Sequence, residues 1–314
     1  DNRYVGKDGS DEGTAPAYSE NDTLGASLTL NYDVSETLSL KSITAIRQLD
    51  AEFARDGDHS PHRISQFSDV LDQDQFTQEI QLLGSYDRTQ WVAGFYYFSE
   101  DGTNTNILDF TVSNFRSGGD FDNEAWAAFA QVTYDVTEDL HLTLGGRYTD
   151  EQKSFTPDQI IFQNYYAGIS QVVPPGNPLA PLDAPFLQAG GRILPLLEKE
   201  IEVSEFTPTV NLAYDISDDV MVYFNYSEGF KSGGFTQRVF PPVVAGFTAP
   251  PGTPDIDLIP TYDPEFVEVA EIGFKAVLAE GKLRLNGAVF TTDYDELQVQ
   301  VFNSVAPVTR NLGQ

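Results

Sequence analysis

Apolar and polar residues alternate along most of the chain with a period of two. In the first such stretch, Leu28, Leu30 and Tyr32 alternate with Thr29 and Asn31. This period predicts β-strands that have one apolar and one polar face. We predict about ten of them, near residues 26–33, 38–49, 75–83, 91–99, 123–135, 140–149, 203–215, 220–227, 264–276 and 283–302.

A short motif recurs between these strands. Residues 31–38, 133–140 and 213–220 are near-copies with Tyr-Asp at their centre, and residues 85–91 are a looser fourth copy. An Asp whose side chain can open a turn, placed between two alternating runs, predicts tight hairpin turns. A tyrosine at the same height on every hairpin is typical of a membrane–water interface. We therefore predict a membrane girdle formed by Tyr32, Tyr86, Tyr134 and Tyr214.

The lengths of the connections separate the possible architectures. Links of about four to seven residues are predicted to alternate with stretches of roughly 20 to 50 residues, and long structureless loops are uncommon in compact domains. A secreted β-sandwich or lectin-like module rarely segregates links in this way, whereas outer-membrane barrels have short periplasmic turns and long external loops. The predicted fold class is all-β, an antiparallel transmembrane β-barrel.

Strand parity predicts which side chains face lipid. Charged residues on the polar parity are expected to face the lumen, because an Arg or Lys facing lipid at the midplane costs about 2–4 kcal/mol. The predicted lumen-facing or plug-facing set is Lys41, Arg47, Glu79, Arg147, Glu205 and Glu271. The predicted lipid-facing set is Leu28, Ile80, Leu142, Leu212, Ile272 and Phe274.

Composition narrows the function classes. The 314 residues carry a net charge of −30, with much of the acid in the long loops, so nucleic acid is not an expected partner. The acid is explained by loop solvation, or alternatively by attraction of cationic or metal-bearing ligands. With no Cys and 3 His, and without a Ser–His–acid order, phosphate loop or dinucleotide fingerprint, neither enzyme chemistry nor a cofactor is predicted.

One loop has the residue types of a metal site. Asp56, Asp58, His59 and His62 lie close together in sequence, and such side chains can bind a divalent ion. Solvated loop residues explain the same pattern, so these four are weak metal candidates only.

Four segments together resemble a known family. They are Phe76-Thr-Gln-Glu-Ile-Gln-Leu with the following Trp91-Val-Ala-Gly-Phe-Tyr-Tyr, residues 124–151, Tyr223-Phe-Asn-Tyr-Ser-Glu-Gly-Phe-Lys-Ser-Gly-Gly-Phe235, and Tyr262-Asp-Pro-Glu-Phe-Val-Glu-Val-Ala-Glu-Ile-Gly-Phe-Lys275. These segments are similar to recurrent strands of TonB-dependent outer-membrane receptors, and they occur in the order found in that family.

The resemblance implies a 22-stranded barrel closed by an N-terminal plug domain, in the bacterial outer membrane. Such receptors import ferric siderophores, cobalamin or sugars with energy relayed by TonB. Residues 1–314 are expected to form part of the barrel, with the plug, the TonB-contacting part and the C-terminal strands missing. Partners implied are the TonB complex, through the missing N-terminal part, and outer-membrane lipid.

The ligand is less well indicated by the sequence. Phe230, Lys231, Phe235 and Tyr262 in the family-like segments are predicted to rim the ligand path. The alternative explanation of the same segment is that Gly229, Gly233 and Gly234 permit a bulge and an abrupt turn. A ferric siderophore is the leading expectation from the family. The acidic loops disfavour a strongly anionic chelate, so an oligosaccharide or another organic nutrient stays open, as does a passive porin-like barrel.

Overall fold

The computed structural model describes residues 13–111, 113–164, 189–192, 194–237, 255–303 and 306–313. Nearly all of them are in β-strands. The strands are β1 (Tyr18–Ser35), β2 (Leu38–Asp56), β3 (Ser65–Tyr86), β4 (Thr89–Phe110), β5 (Ser113–Asp135), β6 (Leu140–Pro157), β7 (Ile160–Asn164), β8 (Lys199–Ser217), β9 (Val220–Lys231), β10 (Gly234–Phe235), β11 (Thr261–Tyr262), β12 (Glu265–Leu278), β13 (Leu283–Asp295), β14 (Leu297–Asn303) and β15 (Ala306–Leu312). A turn of 3-10 helix covers Asp255–Leu258.

One antiparallel sheet contains the long strands. Its order is β1-β2-β3-β4-β5-β6-β8-β9-β12-β13, and β7 pairs with the start of β5. Two smaller ladders, β10–β11 and β14–β15, lie outside this path. The fold class predicted from the alternation is therefore confirmed as an all-antiparallel wall of hairpins. Within the described residues, none of the helices is long and apolar enough to cross a membrane.

The register gives the sheet two chemically different faces. One row of directly paired residues consists of Leu142, Leu212, Phe224, Ile272 and Val289, and its members on β8, β9, β12 and β13 are exposed. We call the face that carries this row the outer face. The adjacent row on the opposite, inner face consists of Thr143, Asn211, Asn225 and Glu271.

Several strands extend further than the alternation predicted. β3 and β4 are each 22 residues long and β5 is 23 residues long. Only residues 57–64 separate β2 from β3, and only residues 111–112 separate β4 from β5. The prediction of loops of 20 residues or more at these two places was wrong. At the strand ends away from the short turns, polar residues occur on both faces. Strand pairing continues there, but the sequence no longer alternates between apolar and polar residues.

The predicted strand at residues 283–302 is two strands. β13 ends at Asp295, Glu296 has a positive φ of 52°, and β14 then leaves the main sheet to pair with β15. A positive φ turns the chain out of the extended conformation, which most residues other than Gly rarely do. The short strand β7, paired with β5, was not predicted at all.

Candidate ligand site on the inner face

The chain folds onto the inner face of the sheet where β9 ends. β9 pairs with β12 as far as Lys231 and Glu265, and the following residues form the β10–β11 ladder, in which Gly234 pairs with Tyr262. We call residues 232–237 and 259–264 the inward segment. They lie against β6 and β8, which are inserted between β5 and β9 in the sheet order.

Hydrogen bonds and ring contacts fix the inward segment. Lys153 Nζ on β6 donates to the carbonyl oxygen of Gly233 at 3.2 Å, and the Ser232 hydroxyl donates to Glu151. The rings of Phe155 and Phe235 pack with centroids 5.5 Å apart. A further lysine, Lys199 on β8, donates to the carbonyl oxygen of Ile259 at 2.8 Å. Contacts with β6 and β8 thus hold both parts of the inward segment, residues 232–237 and residues 259–264.

Glycine is required at the close approach of β10 and β11. A Cβ at Gly233 would lie 2.5 Å from the carbonyl oxygen of Tyr262, and one at Gly234 would meet the phenol ring of the same tyrosine. The contact at Gly233 is with backbone and excludes other residue types, whereas a side chain at Gly234 would displace the tyrosine ring. The two glycines therefore allow Tyr262 to stand directly beside Phe235.

A cavity of about 410 Å³ opens between the inward segment and the sheet. This volume falls within the range of small-molecule sites, which combine apolar and aromatic walls with a few fixed polar groups. Its aromatic wall includes Phe121, Phe155, Phe235 and Tyr262. Its polar wall includes Gln73, Glu100, Asn104, Asn123 and Lys153.

The polar wall is ordered by side-chain hydrogen bonds across three neighbouring strands. Gln73 on β3 donates to one carboxylate oxygen of Glu100 on β4, and Asn123 Nδ2 on β5 donates to the other at 2.7 Å. Lys153 pairs with Glu151 at 2.9 Å. The two amides hold the Glu100 carboxylate in one orientation at the cavity wall.

The predicted ligand-path residues separate into two groups. Phe235 and Tyr262 line the cavity together, and Lys231 lies on the inner face paired with Glu265. Phe230 shares the parity of Phe224 and pairs with Phe266, which places it on the outer face, so its prediction as a ligand-path residue is contradicted by the register. The physical reason is that side chains alternate along a strand, and β9 continues without a bulge through this position.

The six charged residues predicted to face the lumen all lie on the inner face. The register places them in rows that contain no member of the predicted lipid-facing set. Arg147 makes two cation–π contacts, since its guanidinium lies 5.5 Å from the ring centroid of Tyr96 and 5.9 Å from that of Phe129. Glu79 accepts a hydrogen bond from Gln81, and Glu271 accepts one from the Tyr223 hydroxyl. The remaining three are Lys41, Arg47 and Glu205.

The four tyrosines predicted as a girdle all lie near the short turns, on the outer face. Their exposed fractions are 67% for Tyr32, 74% for Tyr86, 45% for Tyr134 and 46% for Tyr214. Tyr86 and Tyr134 are both paired with Thr89, which puts these two at one level. Their interfacial role stays a prediction.

A second aromatic group on the outer face was not found from the sequence. Trp126 stacks on Phe95 with centroids 6.2 Å apart and contacts Tyr148 at 5.5 Å, and Tyr148 is paired with Phe206. Trp126 is nearer the long-loop end of β5 than Tyr134 is. These aromatic residues are distributed over three hairpins, so the group emerges only from the register. Together with Phe76 and Tyr97 we call them the upper belt, and the four tyrosines the lower belt.

One inner-face residue near the short turns was also missed. The His141 ring lies between two carboxylates, with Nδ1 2.6 Å from Asp135 Oδ1 and Nε2 3.1 Å from Asp215 Oδ2. Both aspartates belong to the repeated Tyr-Asp motif. The three near-copies of the repeat thus supply an outer-face tyrosine and an inner-face carboxylate at each turn, and one histidine joins two of these turns.

The weak metal candidates have a structural explanation. Asp56 accepts backbone N–H groups from Thr14, Asp58 and His59, and Asp58 accepts from the Ser60 hydroxyl and from backbone N–H groups further along the loop. Across the ranges that the structure describes, no group of three or more His, Asp or Glu side chains is arranged to hold a metal ion. The carboxylates shape the loop through hydrogen bonds.

Comparison with known proteins gives a family match and a named relative. The family described as TonB dependent receptor-like, beta-barrel matches residues 1–314. A ferric-pyoverdine 358 receptor of Pseudomonas putida is 24% identical over 200 residues, which are 64% of this chain and 17% of that receptor. The relative is named as a receptor, which agrees with the sequence-based expectation of a receptor segment.

Two solved structures share the fold. The ferric yersiniabactin uptake receptor of Yersinia pestis superposes with a TM-score of 0.68 at 17% identity, covering 95% of this chain and 39% of that one. The ferric-catecholate import receptor of E. coli K12 superposes with a TM-score of 0.60 at 13% identity, covering 96% and 44%. The chain therefore spans less than half the length of these receptors. By sequence family and by fold, it belongs to the β-barrel domain of the TonB-dependent outer-membrane receptors.

Proposed function

We propose that the receptor containing this chain imports a ferric siderophore across the bacterial outer membrane, with energy relayed by TonB. The observation that carries the proposal is the family match over residues 1–314 together with a relative named for a ferric siderophore. In this proposal the ten long strands are part of a 22-stranded wall. The plug and the TonB-contacting part belong to other parts of the receptor, and the outer face contacts lipid.

The inner-face cavity supports ligand binding at this wall. Aromatic rings and fixed amide groups converge there from β3, β5, β6 and the inward segment, as expected of a site for an organic ligand. The site faces the lumen side of the sheet, at the end of the strands away from the short turns. A solute that enters from outside would meet it before reaching the middle of the barrel.

Uptake measurements in a deletion strain test the proposal. Cells that lack the receptor gene are complemented with the full-length receptor and supplied with radioactive iron as hydroxamate, catecholate or mixed chelates. We expect receptor-dependent iron uptake that disappears when TonB is also deleted. Uptake that continued unchanged without TonB would indicate a passive, porin-like route instead.

A neutral oligosaccharide is the second candidate ligand. The specific observation is the combination of Gln73, Asn104 and Asn123 with the rings of Phe155 and Phe235, because amides bind hydroxyl groups and aromatic rings pack on apolar surfaces. The same strains, supplied with labelled oligosaccharides, decide between the two. TonB-dependent uptake of sugar but of no ferric chelate would replace the siderophore and retain the transport class.

A further inference from the structure

We propose that Glu100 binds a cationic group of the transported ligand, an ammonium or guanidinium, at the wall of the inner-face cavity. The preferred chelate is then neutral or cationic overall, and a highly anionic chelate is disfavoured. This inference rests on the proposed function and adds the charge class of the ligand.

The Glu100 carboxylate is prepared to accept further hydrogen bonds. Gln73 donates to one oxygen and Asn123 to the other, from the strands on either side of β4. A carboxylate offers about four lone-pair positions, and two amide donors use two of them. The two amides are uncharged donors, and they fix the orientation of the Glu100 carboxylate at a position that lines the cavity.

The ammonium group of Lys153 at this cavity contacts other groups of the protein. Among the described residues that line the cavity, Glu100 and Lys153 are the charged ones. Lys153 lies 2.9 Å from Glu151 Oε1 and donates to the carbonyl oxygen of Gly233. These contacts direct the ammonium of Lys153 to Glu151 and the inward segment. Within the described residues that line the cavity, the Glu100 carboxylate therefore faces the ligand space without a cationic partner.

The aromatic wall is suited to the same ligand group. The rings of Phe155 and Phe235 form a packed pair, and Phe121 and Tyr262 lie on the same cavity. A cation near aromatic faces is attracted by the ring quadrupole, and the methylene stem of an alkylammonium packs on the same rings. A carboxylate beside aromatic rings is therefore a better site for an organic cation than for an anion.

The net charge of the whole chain also favours a cationic ligand. The net charge is −30, and a field of one sign concentrates ligands of the opposite sign. A tris-catecholate ferric complex carries three negative charges and would be repelled both at long range and at Glu100. A tris-hydroxamate ferric complex is neutral at its metal centre, so one ammonium arm makes it cationic.

A matched pair of ligands tests the inference without any substitution. One ligand is a linear ferric tris-hydroxamate with a terminal ammonium, and the other is the same chelate with that amine acetylated. The two are titrated against the full-length receptor in isolated outer membranes. We expect the ammonium form to bind about tenfold more tightly, because a charge-assisted hydrogen bond is lost on acetylation.

Two variants assign that preference to Glu100. Glu100→Gln keeps the side-chain shape and should bind the ammonium form about tenfold less tightly while its affinity for the acetylated form is unchanged. Glu52→Gln removes the same charge from an exposed outer-face position and should leave both affinities unchanged. Unchanged binding of the acetylated chelate also shows that the Glu100→Gln receptor is folded.

The outcomes separate this inference from the proposed function. Equal affinity of the wild type for the two hydroxamates, or tighter binding of a ferric tris-catecholate, would overturn the cation site while leaving siderophore uptake intact. Discrimination that survived in Glu100→Gln would likewise overturn the role of Glu100. A receptor that bound no ferric chelate would overturn the proposed function and this inference with it.

Discussion

Single residues decide how closely residues 232–237 approach β11. Gly233 and Gly234 have no side chain where Tyr262 passes, and this places the tyrosine ring against the cavity. The role of these glycines is steric, since any Cβ would displace a neighbouring backbone or ring. The consequence can be measured as a loss of ligand binding.

We predict that Gly234→Val weakens binding of the transported ligand roughly tenfold, because overpacking of this kind costs about 1–3 kcal/mol and moves Tyr262. The measurement is ligand affinity of the full-length receptor in outer membranes. Gly229→Ala is the matched control, since its Cβ would meet Val267 at the ordinary distance of 3.4 Å. Equal affinities of the two variants would contradict the steric role of Gly234.

Some residue positions could be predicted from the sequence and others could not. Alternation places Leu212, Ile272 and Glu271 on their observed faces, because one polar and one apolar face are imposed on each strand by its two solvents. The same parity, followed from Phe224 to Phe230, indicates the outer face, and the motif-based prediction for Phe230 ignored it. Glu100 could not be found, since its neighbours Gln73 and Asn123 come from other strands and meet it only through the register.

At the scale of elements, each long strand has an apolar outer face only over part of its length. On β8 the exposed Leu212 faces outward and Asn211, its neighbour in sequence, faces inward between Thr143 and Asn225. Two adjacent positions on one strand therefore lie in different solvents. Charge introduced at each should have very different costs.

We predict that Leu212→Arg destabilises the folded barrel by about 2–4 kcal/mol, whereas Asn211→Arg changes its stability far less. The first arginine would face the hydrocarbon layer and the second the polar lumen. Urea titration of the full-length receptor in lipid vesicles, followed by tryptophan fluorescence, gives both values. A larger loss for Asn211→Arg would reverse the assignment of the two faces.

The loop between β2 and β3 lies beyond the apolar band and should respond to pH. The backbone N–H of Thr14 lowers the pKa of Asp56 below its ordinary value of 3.8, burial opposes this, and the backbone N–H groups of Asp58 and His59 lower it further. A lowered folded pKa means that the stabilisation is fully present above about pH 4 and is lost as the pH falls through the folded value.

We therefore predict that the amides of Thr14, Asp58 and His59 stay protected from pH 7 to pH 5 and lose protection below pH 3.8. Hydrogen exchange, corrected for the intrinsic rate at each pH, is the measurement. Asp56→Asn should make the protection independent of pH over this interval. Protection that increased on acidification would contradict a lowered pKa of Asp56.

The ten strands on the main path of the sheet were predicted in number and type, but not in length, and the short strands outside that path were missed. The repeated Tyr-Asp motif marks the short turns, because both the aspartate turn and the interfacial tyrosine depend on local sequence. The extended ends of β4 and β5 have polar residues on both faces, so nothing in their composition separates strand from loop. The break at Glu296 depends on a backbone conformation that its side chain does not indicate.

On the scale of the whole molecule, the outer face carries two aromatic levels with an apolar band between them. The lower belt adjoins the short turns, and the upper belt centres on Trp126. Trp91, the second of the 2 tryptophans, lies on the outer face near the short turns, where it is paired with Val132. The two tryptophans thus report on opposite sides of the band.

We predict that Trp91 and Trp126, each kept as the one tryptophan of a full-length receptor whose other tryptophans are replaced by Phe, are quenched more strongly by lipids brominated near the headgroup than by lipids brominated near the chain end. Interfacial aromatic rings lie at headgroup level, which gives this depth dependence. The measurement is steady-state fluorescence in vesicles of each lipid. Quenching by aqueous iodide without any quenching by brominated lipid would contradict the two-level arrangement.

The distance between the aromatic levels has a consequence for where this wall can reside. From Trp126 to Tyr134, at about 3.3 Å per residue and a strand tilt of about 40°, the vertical interval is roughly 20 Å. A hydrocarbon layer of average thickness is about 30 Å, and the bacterial outer membrane is thinner than average. In a thicker bilayer the acyl chains would have to compress around the wall or cover its polar extensions. Hydrophobic matching thus favours the outer membrane over the inner one, independently of any targeting signal.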